Sequence, residues 1–279
     1  MKLEWYQYLL EHINPIAVSV GFFSIRWYSI MYLVAFATVY FLLSHRIRKK
    51  ENLFEINKCQ LTNLLIYLIL GLLVGARLGY VLFYDLNYFI SHPLEIISPV
   101  QITNYKLQIT GIFGMSYFGG LIGVILAGWI YARRQKINFW QLADFAVPAI
   151  PAGYFFGRLG NFLNGELFGR VTNVPWGMYF PADSSGMLRH PSQLYEALLE
   201  GAVLFLVLWH FRNSSWLKGR ILPVYLLGYA IFRFGCEFFR EPDPQTGFIL
   251  GIFTYGQFLS VILFLSAIWY LTRRLKLSL

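Results

Sequence analysis

Seven stretches of this chain are apolar over roughly the 20 residues that a helix needs to cross a hydrocarbon layer. They run at about 18–43, 62–84, 111–132, 143–163, 193–211, 221–239 and 250–272. A water-exposed domain carries about 25% charged residues; here the share is 13%, against 57% hydrophobic. The expectation is an all-α polytopic membrane protein, a single membrane-embedded domain over 1–279 with about seven transmembrane helices.

The basic residues set an orientation. Arg46, Arg48, Lys49, Lys50 and Lys58 follow the first segment, and Arg133, Arg134 and Lys136 the third; Arg212, Lys218 and Arg220 follow the fifth, and Arg273, Arg274 and Lys276 the seventh. Alternate loops therefore hold 14 of the 23 Lys and Arg. Basic loops stay in the cytoplasm, which places the N-terminus outside and the C-terminus inside. The net charge of +9 follows from this asymmetry and from anionic lipid nearby. A nucleic-acid partner is excluded, because no single face concentrates the charge. The N-terminal run is long and aromatic, is followed by a basic stop, and lacks a small-residue cleavage pattern, so it does not read as a signal peptide. Residues 1–17, with Trp5, Tyr6 and Tyr8, read as an amphipathic segment on the outer interface. Cys59 falls in a cytoplasmic loop and Cys236 inside the sixth segment, which makes a disulfide between them improbable.

Two outer segments, about 85–110 and 164–192, are too long for turns and form a small irregular head. The first carries Pro93, Pro99 and the alternating run 101–108; the second carries Pro175, Pro181 and several glycines among aromatics, a pattern for short strands or a lid.

Polar residues inside apolar segments locate the chemistry, since an ionised side chain at mid-bilayer costs roughly 2.5–3.5 kcal/mol even on the lenient insertion scale. The fourth segment ends in Gly157-Arg-Leu-Gly-Asn-Phe-Leu-Asn-Gly-Glu-Leu-Phe-Gly-Arg170. Arg158 and Asn161 stand three apart and share a helix face. Helix packing through small residues explains the glycines, but not Asn161, Asn164 and Glu166 beside Arg158. On the sixth segment Tyr229, Arg233, Glu237 and Arg240 form one polar stripe. Arg233 and Glu237 can pair, and the stripe's two arginines to one glutamate leave a positive charge that an anionic ligand would balance. Arg77 lies at membrane depth among Gly75, Gly79 and Tyr80. Before the fifth segment, His190 and Ser192 are placed to cap a helix that Pro191 begins. Arg26, Trp27, Tyr28 and Tyr32 have an interfacial aromatic belt as their ordinary explanation. No His-x-x-x-His pair, phosphate-binding Gly-x-x-x-x-Gly-Lys loop or Gly-x-Ser-x-Gly elbow occurs. Arginines at membrane depth without a metal motif suit a phosphate, which guanidinium grips through paired donors. The abundant phosphate in a bilayer is a phospholipid headgroup.

These residues resemble the prolipoprotein diacylglyceryl transferase family over nearly the whole length. The likeness is carried by 157–169, by His190-Pro-Ser-Gln-Leu-Tyr-Glu196, by Gly75-Ala-Arg-Leu-Gly-Tyr80, by Trp27-Tyr28 and by Arg233-x-x-x-Glu237-x-x-Arg240. The resemblance implies transfer of the diacylglyceryl group of phosphatidylglycerol to the lipobox cysteine thiol of a prolipoprotein signal peptide, releasing glycerol 1-phosphate, in the bacterial cytoplasmic (inner) membrane. It implies catalytic positions at Arg158, Arg233, Glu237 and Tyr229, and substrate-binding positions at Tyr28, Arg77, Asn161, Glu166, Gly169, His190 and Arg240. It requires no cofactor and no metal. One departure stands out: the family commonly has a histidine in a Ser-Phe-His-Gly-Gly run, and this chain has Phe118 there, within Ser116-Tyr-Phe118-Gly-Gly120. That leaves Glu237, Glu166 and Tyr117 as candidate bases. Two other readings use the same arginines, an anionic-lipid transporter or flippase and an inactive paralogue that binds lipoprotein precursors.

Overall fold

The computed structural model of the chain describes residues 5–20, 23–51, 54–97, 100–103, 106–109, 114–242, 248–249 and 253–276. The chain is mostly helical and divides into two compact units, one formed by 1–51 and 143–279 and the other by 52–142. Among the described residues three two-stranded antiparallel hairpins accompany the helices, and the chain is mostly helical as expected. Among the described residues four helices are long and apolar enough to cross a membrane: Trp27–Arg48, Lys58–Phe83, Ser192–Phe211 and Tyr255–Arg273.

The larger unit opens with a 3-10 turn, Leu9–Glu11, and a hairpin of β1 (Ile16–Val20) and β2 (Phe23–Arg26). Helix α1 (Trp27–Arg48) therefore starts at Trp27 and not near residue 18. The β-branched run before it satisfies its backbone across strands, and apolarity alone does not distinguish the two outcomes.

The smaller unit is built on α2 (Lys58–Phe83), followed by the short α3 (Leu86–Ser91) and a 3-10 turn at Pro93–Ile96. Strands β3 (Val100–Thr103) and β4 (Lys106–Ile109) pair within the alternating run 101–108, and α4 (Tyr117–Arg134) follows. Asn57 starts α2 with a reciprocal capping box: its Oδ1 accepts from Gln60 N at 2.8 Å and its own N–H donates to Gln60 Oε1 at 2.9 Å. Ser116 Oγ accepts from Gly119 N at 3.3 Å and caps α4, which begins at Tyr117; the expected start at 111 lies outside the described residues. Helices α2 and α4 touch backbone to backbone through Gly71, Gly75 and Gly79 on one side and Gly119 and Gly123 on the other; a Cβ at any of these meets the facing chain. Small residues permit that approach where lipid supplies no hydrophobic drive between helices. Arg77 lies in this unit. It donates to the carbonyls of Ile96 (2.9 Å), Glu95 (2.7 Å) and Gly114 (3.2 Å), with its guanidinium 4.8 Å above the Phe89 ring. Phe118 and Tyr117 stand on the first turn of α4, both exposed.

Within α5 (Phe139–Ala146) the chain passes back into the larger unit. The fourth apolar segment is not one helix: Pro148 sits in a 3-10 turn, Val147–Ala149, and α6 (Ile150–Leu163) begins after it. The fifth segment runs as α7 (Ser192–Glu196), a π-helical stretch at Ala197–Val203, and α8 (Leu204–Phe211). Ser192 does not cap it; the hydroxyl donates to Leu167 O at 3.1 Å, and the N-terminus has no side-chain cap. Helix α9 (Ile221–Cys236) and α10 (Tyr255–Lys276) pack together, joined through β5 (Phe248–Ile249) and β6 (Phe253–Thr254). One apolar cluster, Val147, Leu204, Leu208, Leu217 and Ile221, fills the space among α8, α9 and the 3-10 turn. At the same end Glu51 pairs with Arg212 (2.8 Å) and Arg46 (3.4 Å), and Asp144 Oδ1 accepts from Leu222 N at 2.8 Å.

The segment 164–192 folds as a cap of isolated bridges, Gly169 with Arg240 and Arg189 with both Val171 and Met178. A second apolar cluster beneath it joins Leu10, Phe162, Met178 and Phe180. Arg189 lies 5.2 Å from the Phe168 ring centre and donates to both oxygens of Asp183, at 2.6 and 3.2 Å. The hydrogen bonds from Arg189 hold the Asp183 carboxyl down at about 2, from an ordinary value of 3.8. A depressed carboxylate stabilises the folded state above its unfolded pKa, and that contribution disappears as pH falls through the folded value. Thermal melts in detergent should therefore drop between about pH 4 and pH 2, with a smaller drop in Asp183→Asn. Equal pH sensitivity of the two proteins would show that the pair does not clamp the cap. A second expected outcome is that Gly75→Leu lowers the melting temperature of the chain sharply, whereas Leu73→Ala, at an exposed position on the same helix, shifts it little.

Candidate active site

Ten of the eleven residues singled out from the sequence lie in the larger unit; the exception, Arg77, is engaged by carbonyls of the smaller one. Helix α6 presents Arg158 and Asn161 on one face, as their spacing requires, and Arg158 Nη1 reaches Asn161 Oδ1 at 3.3 Å. Asn161 Nδ2 in turn donates to Glu166 Oε1 at 2.9 Å. Glu166 is brought back beside α6 by a tight reversal, with Gly165 at φ 69° and Leu167 at φ 60°. Left-handed backbone of this kind is open to glycine and strained for leucine. Gln193 Nε2 fixes the turn by donating to Glu166 O at 2.7 Å.

Helix α9 supplies Tyr229 and Arg233, and the turn after it Glu237 and Arg240. Arg233 pairs with Glu237 Oε1, and Thr254 Oγ1 donates to Glu237 Oε2 at 2.7 Å. The stripe does not keep the surplus positive charge expected from its composition. Glu196, at the end of α7, lies 3.0 Å from Arg233 Nη1 and 3.6 Å from Arg240 Nη1 through Oε1, and 2.6 Å from Arg158 Nε through Oε2. Glu200, one turn on, approaches Arg233 Nη1 at 3.9 Å. Three guanidinium groups thus face three carboxylates, and Glu196 and Glu200 are each only 1% exposed. The sequence reading missed Glu200 and gave Glu196 no role. The signal was available, because two glutamates four apart inside an apolar helix need partners at membrane depth.

The pairing leaves hydrogen-bonding capacity unused. Among the described residues neither Glu196 oxygen nor Arg233 Nη1 has a partner in directed hydrogen-bond geometry, although the two groups lie 3.0 Å apart. Such groups are rare in a folded interior, and each calls for an explanation. At this cluster Arg233 Nη1 is the one such donor, and the other unmet atoms are carboxylate oxygens of Glu196 and Glu200.

The remaining residues frame this cluster. Tyr28, on the first turn of α1, packs against Gly160 and donates to Tyr32 at 2.9 Å. Tyr229 meets Tyr154 edge to face at 6.0 Å. Gly169 sits where three chain segments cross: its N–H donates to His190 O at 2.8 Å, and a Cβ would strike His190 and the Phe239 carbonyl. His190 Nδ1 lies 3.1 Å from the Tyr195 hydroxyl, its ring is packed on Phe239, and burial lowers the imidazole's pKa.

Removing Glu196 takes away the carboxylate that three guanidiniums share, so Glu196→Ala should destabilise the protein by about 3–5 kcal/mol, the range for breaking a buried pair. Thr254→Val should cost roughly 1–3 kcal/mol, by leaving one oxygen of Glu237 without its donor. Unfolding midpoints in mild detergent check both, and the order of the two losses is the critical outcome.

A family model described as prolipoprotein diacylglyceryl transferase matches residues 15–273. A phosphatidylglycerol–prolipoprotein diacylglyceryl transferase from Chlorobaculum tepidum is 46% identical over 264 residues, covering 95% of this chain and 91% of its own. Proteins of the same name from Solidesulfovibrio magneticus and Campylobacter jejuni are 43% and 42% identical, the first covering 94% of both chains and the second 95% of both. On this family match and on identity across nearly its full length, the chain belongs to the prolipoprotein diacylglyceryl transferase family.

Proposed function

We infer that the chain transfers the diacylglyceryl group of phosphatidylglycerol to a lipobox cysteine thiol of a prolipoprotein, the first step of lipoprotein maturation. The observation that carries this reading is the convergence of Arg158 and Arg233 on one buried carboxylate, Glu196, at 2.6 and 3.0 Å. Two guanidiniums held together at membrane depth fit a single phosphate. Arg240 and Asn161 lie beside them as further donors. Glu196, Glu200 and Glu237 set the guanidinium planes before substrate arrives and limit the cost of burying them.

The reaction is a displacement at the glyceryl carbon bonded to phosphate oxygen. The sulfur–carbon bond forms as the carbon–oxygen bond breaks, and the phosphodiester becomes glycerol 1-phosphate. Negative charge grows on the departing phosphate, and fixed cations in a water-poor chamber stabilise it more than they stabilise the bound lipid. The same field favours thiolate over thiol on the incoming cysteine. Among the candidate bases, Glu237 has both oxygens engaged, by Arg233 and Thr254, which makes Glu166 the freer carboxylate. Tyr28, Tyr229, Gly169 and His190 shape the walls and the cap. In this reading the seven apolar segments are the crossings of a multi-pass protein of the bacterial inner membrane, and the hairpins and the cap face outward.

Mass spectrometry of a lipobox peptide incubated with phosphatidylglycerol tests the reading. The intact chain should add one diacylglyceryl mass and release glycerol 1-phosphate. Arg158→Ala and Arg233→Ala should each lower turnover by a factor on the order of a thousand or more, while Arg273→Ala, whose guanidinium lies over the Trp269 ring at 4.1 Å, should turn over normally. Retained turnover in both site variants would mean that the phosphate binds elsewhere. Lipid moved between leaflets with its headgroup bond intact would favour a transporter.

A further inference from the structure

Tyr154, half-buried on α6, has no place in the scheme above, and buried Glu200 enters it only as one of three carboxylates around the guanidiniums. Tyr154, one turn before Arg158 on α6, donates its hydroxyl to Glu200 Oε2 at 2.5 Å, a distance at the short end of the charge-assisted range. The same hydroxyl accepts from Arg158 Nε at 2.8 Å, and the Arg158 guanidinium lies 5.0 Å from the Tyr154 ring centre. A phenol oxygen that both donates and accepts has a fixed orientation, so it fixes the donor it serves. Glu200 is anchored independently, because it belongs to the π-helical stretch Ala197–Val203. A π turn closes i→i+5 bonds and is often found at functional sites. Gly201 brings this stretch against α6 at Phe155, beside Tyr154; a Cβ there would lie 2.8–3.1 Å from Phe155 atoms.

We propose that Tyr154 and Glu200 are positioning residues for the transfer reaction, holding the Nε edge of Arg158 so that its Nη edge faces the lipid phosphate. The pair fixes which side of the guanidinium is spent on the protein. Nε is committed to Tyr154 and Glu196, and Nη1 to Asn161, while Nη2 makes no hydrogen bond among the described residues. Without the phenol, Arg158 keeps its charge and its pairing with Glu196 but can rotate about its long side chain. Glu200 also stands 3.9 Å from Arg233 Nη1, so the same carboxylate relates the two arginines that converge on the phosphate. The inference rests on the transferase reading and adds to it two residues that contribute no group to the substrate.

The test is a double-mutant cycle on the full chain, with lipobox-peptide modification measured in phosphatidylglycerol micelles. Tyr154→Phe should lower kcat/KM by about ten- to a hundredfold when Arg158 is present, the effect of losing a hydrogen bond to a charged group. In an Arg158→Lys background the same change should cost less than about threefold, because residues acting through one another are not additive. Equal losses in both backgrounds, or a loss below about twofold in the first, would overturn the proposal. If Arg158→Lys is too slow to follow, protection of the melting temperature by phosphatidylglycerol replaces the rate in the same cycle. If Tyr154→Phe does not fold, Glu200→Gln, which keeps an acceptor for the phenol, should retain more activity than Glu200→Ala; equal activities would overturn the proposal. Absence of transfer by the unaltered chain defeats the functional reading and the pair with it. Transfer by that chain with additive losses defeats the pair alone.

Discussion

Guanidinium and carboxylate groups that share one buried cluster organise the larger unit. Arg158, Arg233 and Arg240 come from two parts of the chain, and Glu196 reaches all three. None of these charges is tolerable alone at that depth, so α6, α7 and α9 must assemble together or not at all. A buried ion network of this kind contributes less to stability than its number of contacts implies, because desolvation offsets much of the attraction. Its effect is on specificity: one arrangement of helices satisfies it, and sliding any helix by a turn does not.

The rest of the unit serves that arrangement. The π-helical stretch and Gly201 set the height of Glu200 against Tyr154. The break at Pro148 starts α6 anew, and Gly160 admits Tyr28 close to its backbone. At the opposite end Arg46, Glu51, Arg212 and Asp144 tie α1, α8 and α9 together, and the cap on 164–192 is tied by Arg189 and Asp183. The smaller unit follows a different principle. Its helices meet through glycines, and its half-buried Arg77 serves backbone carbonyls. Two arginines with the same sequence signature, each among glycines in an apolar segment, therefore have different structural roles. What separates them is the presence of facing acids, which only the fold supplies.

The chemistry follows from the same balance. An empty site with three arginines and no acids would be costly to bury and would bind any anion. With three glutamates in place the cluster is near neutrality, and on the proposed function an incoming phosphate would be met by Arg233 Nη1 and Arg158 Nη2, donors without a directed acceptor among the described residues. That favours a ligand with several oxygens on one centre, and it favours the state in which their charge increases.

Hydropathy, basic-loop asymmetry and the glycine-flanked Arg158 motif were legible in the residue order, because each depends on local composition or on spacing within one element. The Arg158–Asn161 face and the Arg233–Glu237 pair were readable for the same reason: three and four residues on a helix define a distance. Other features were not readable. The hairpin before Trp27, the 3-10 break at Pro148 and the π turn at Ala197 depend on partners elsewhere in the chain. So does the engagement of Arg77 by carbonyls. Glu196 and Glu200 were visible as acids in an apolar helix, yet their partners lie on α6 and α9. Residue order determined which segments are apolar and which charges are buried in them. Tertiary structure alone decided which opposite charges meet, because a buried ion is neutralised across space and not along the chain.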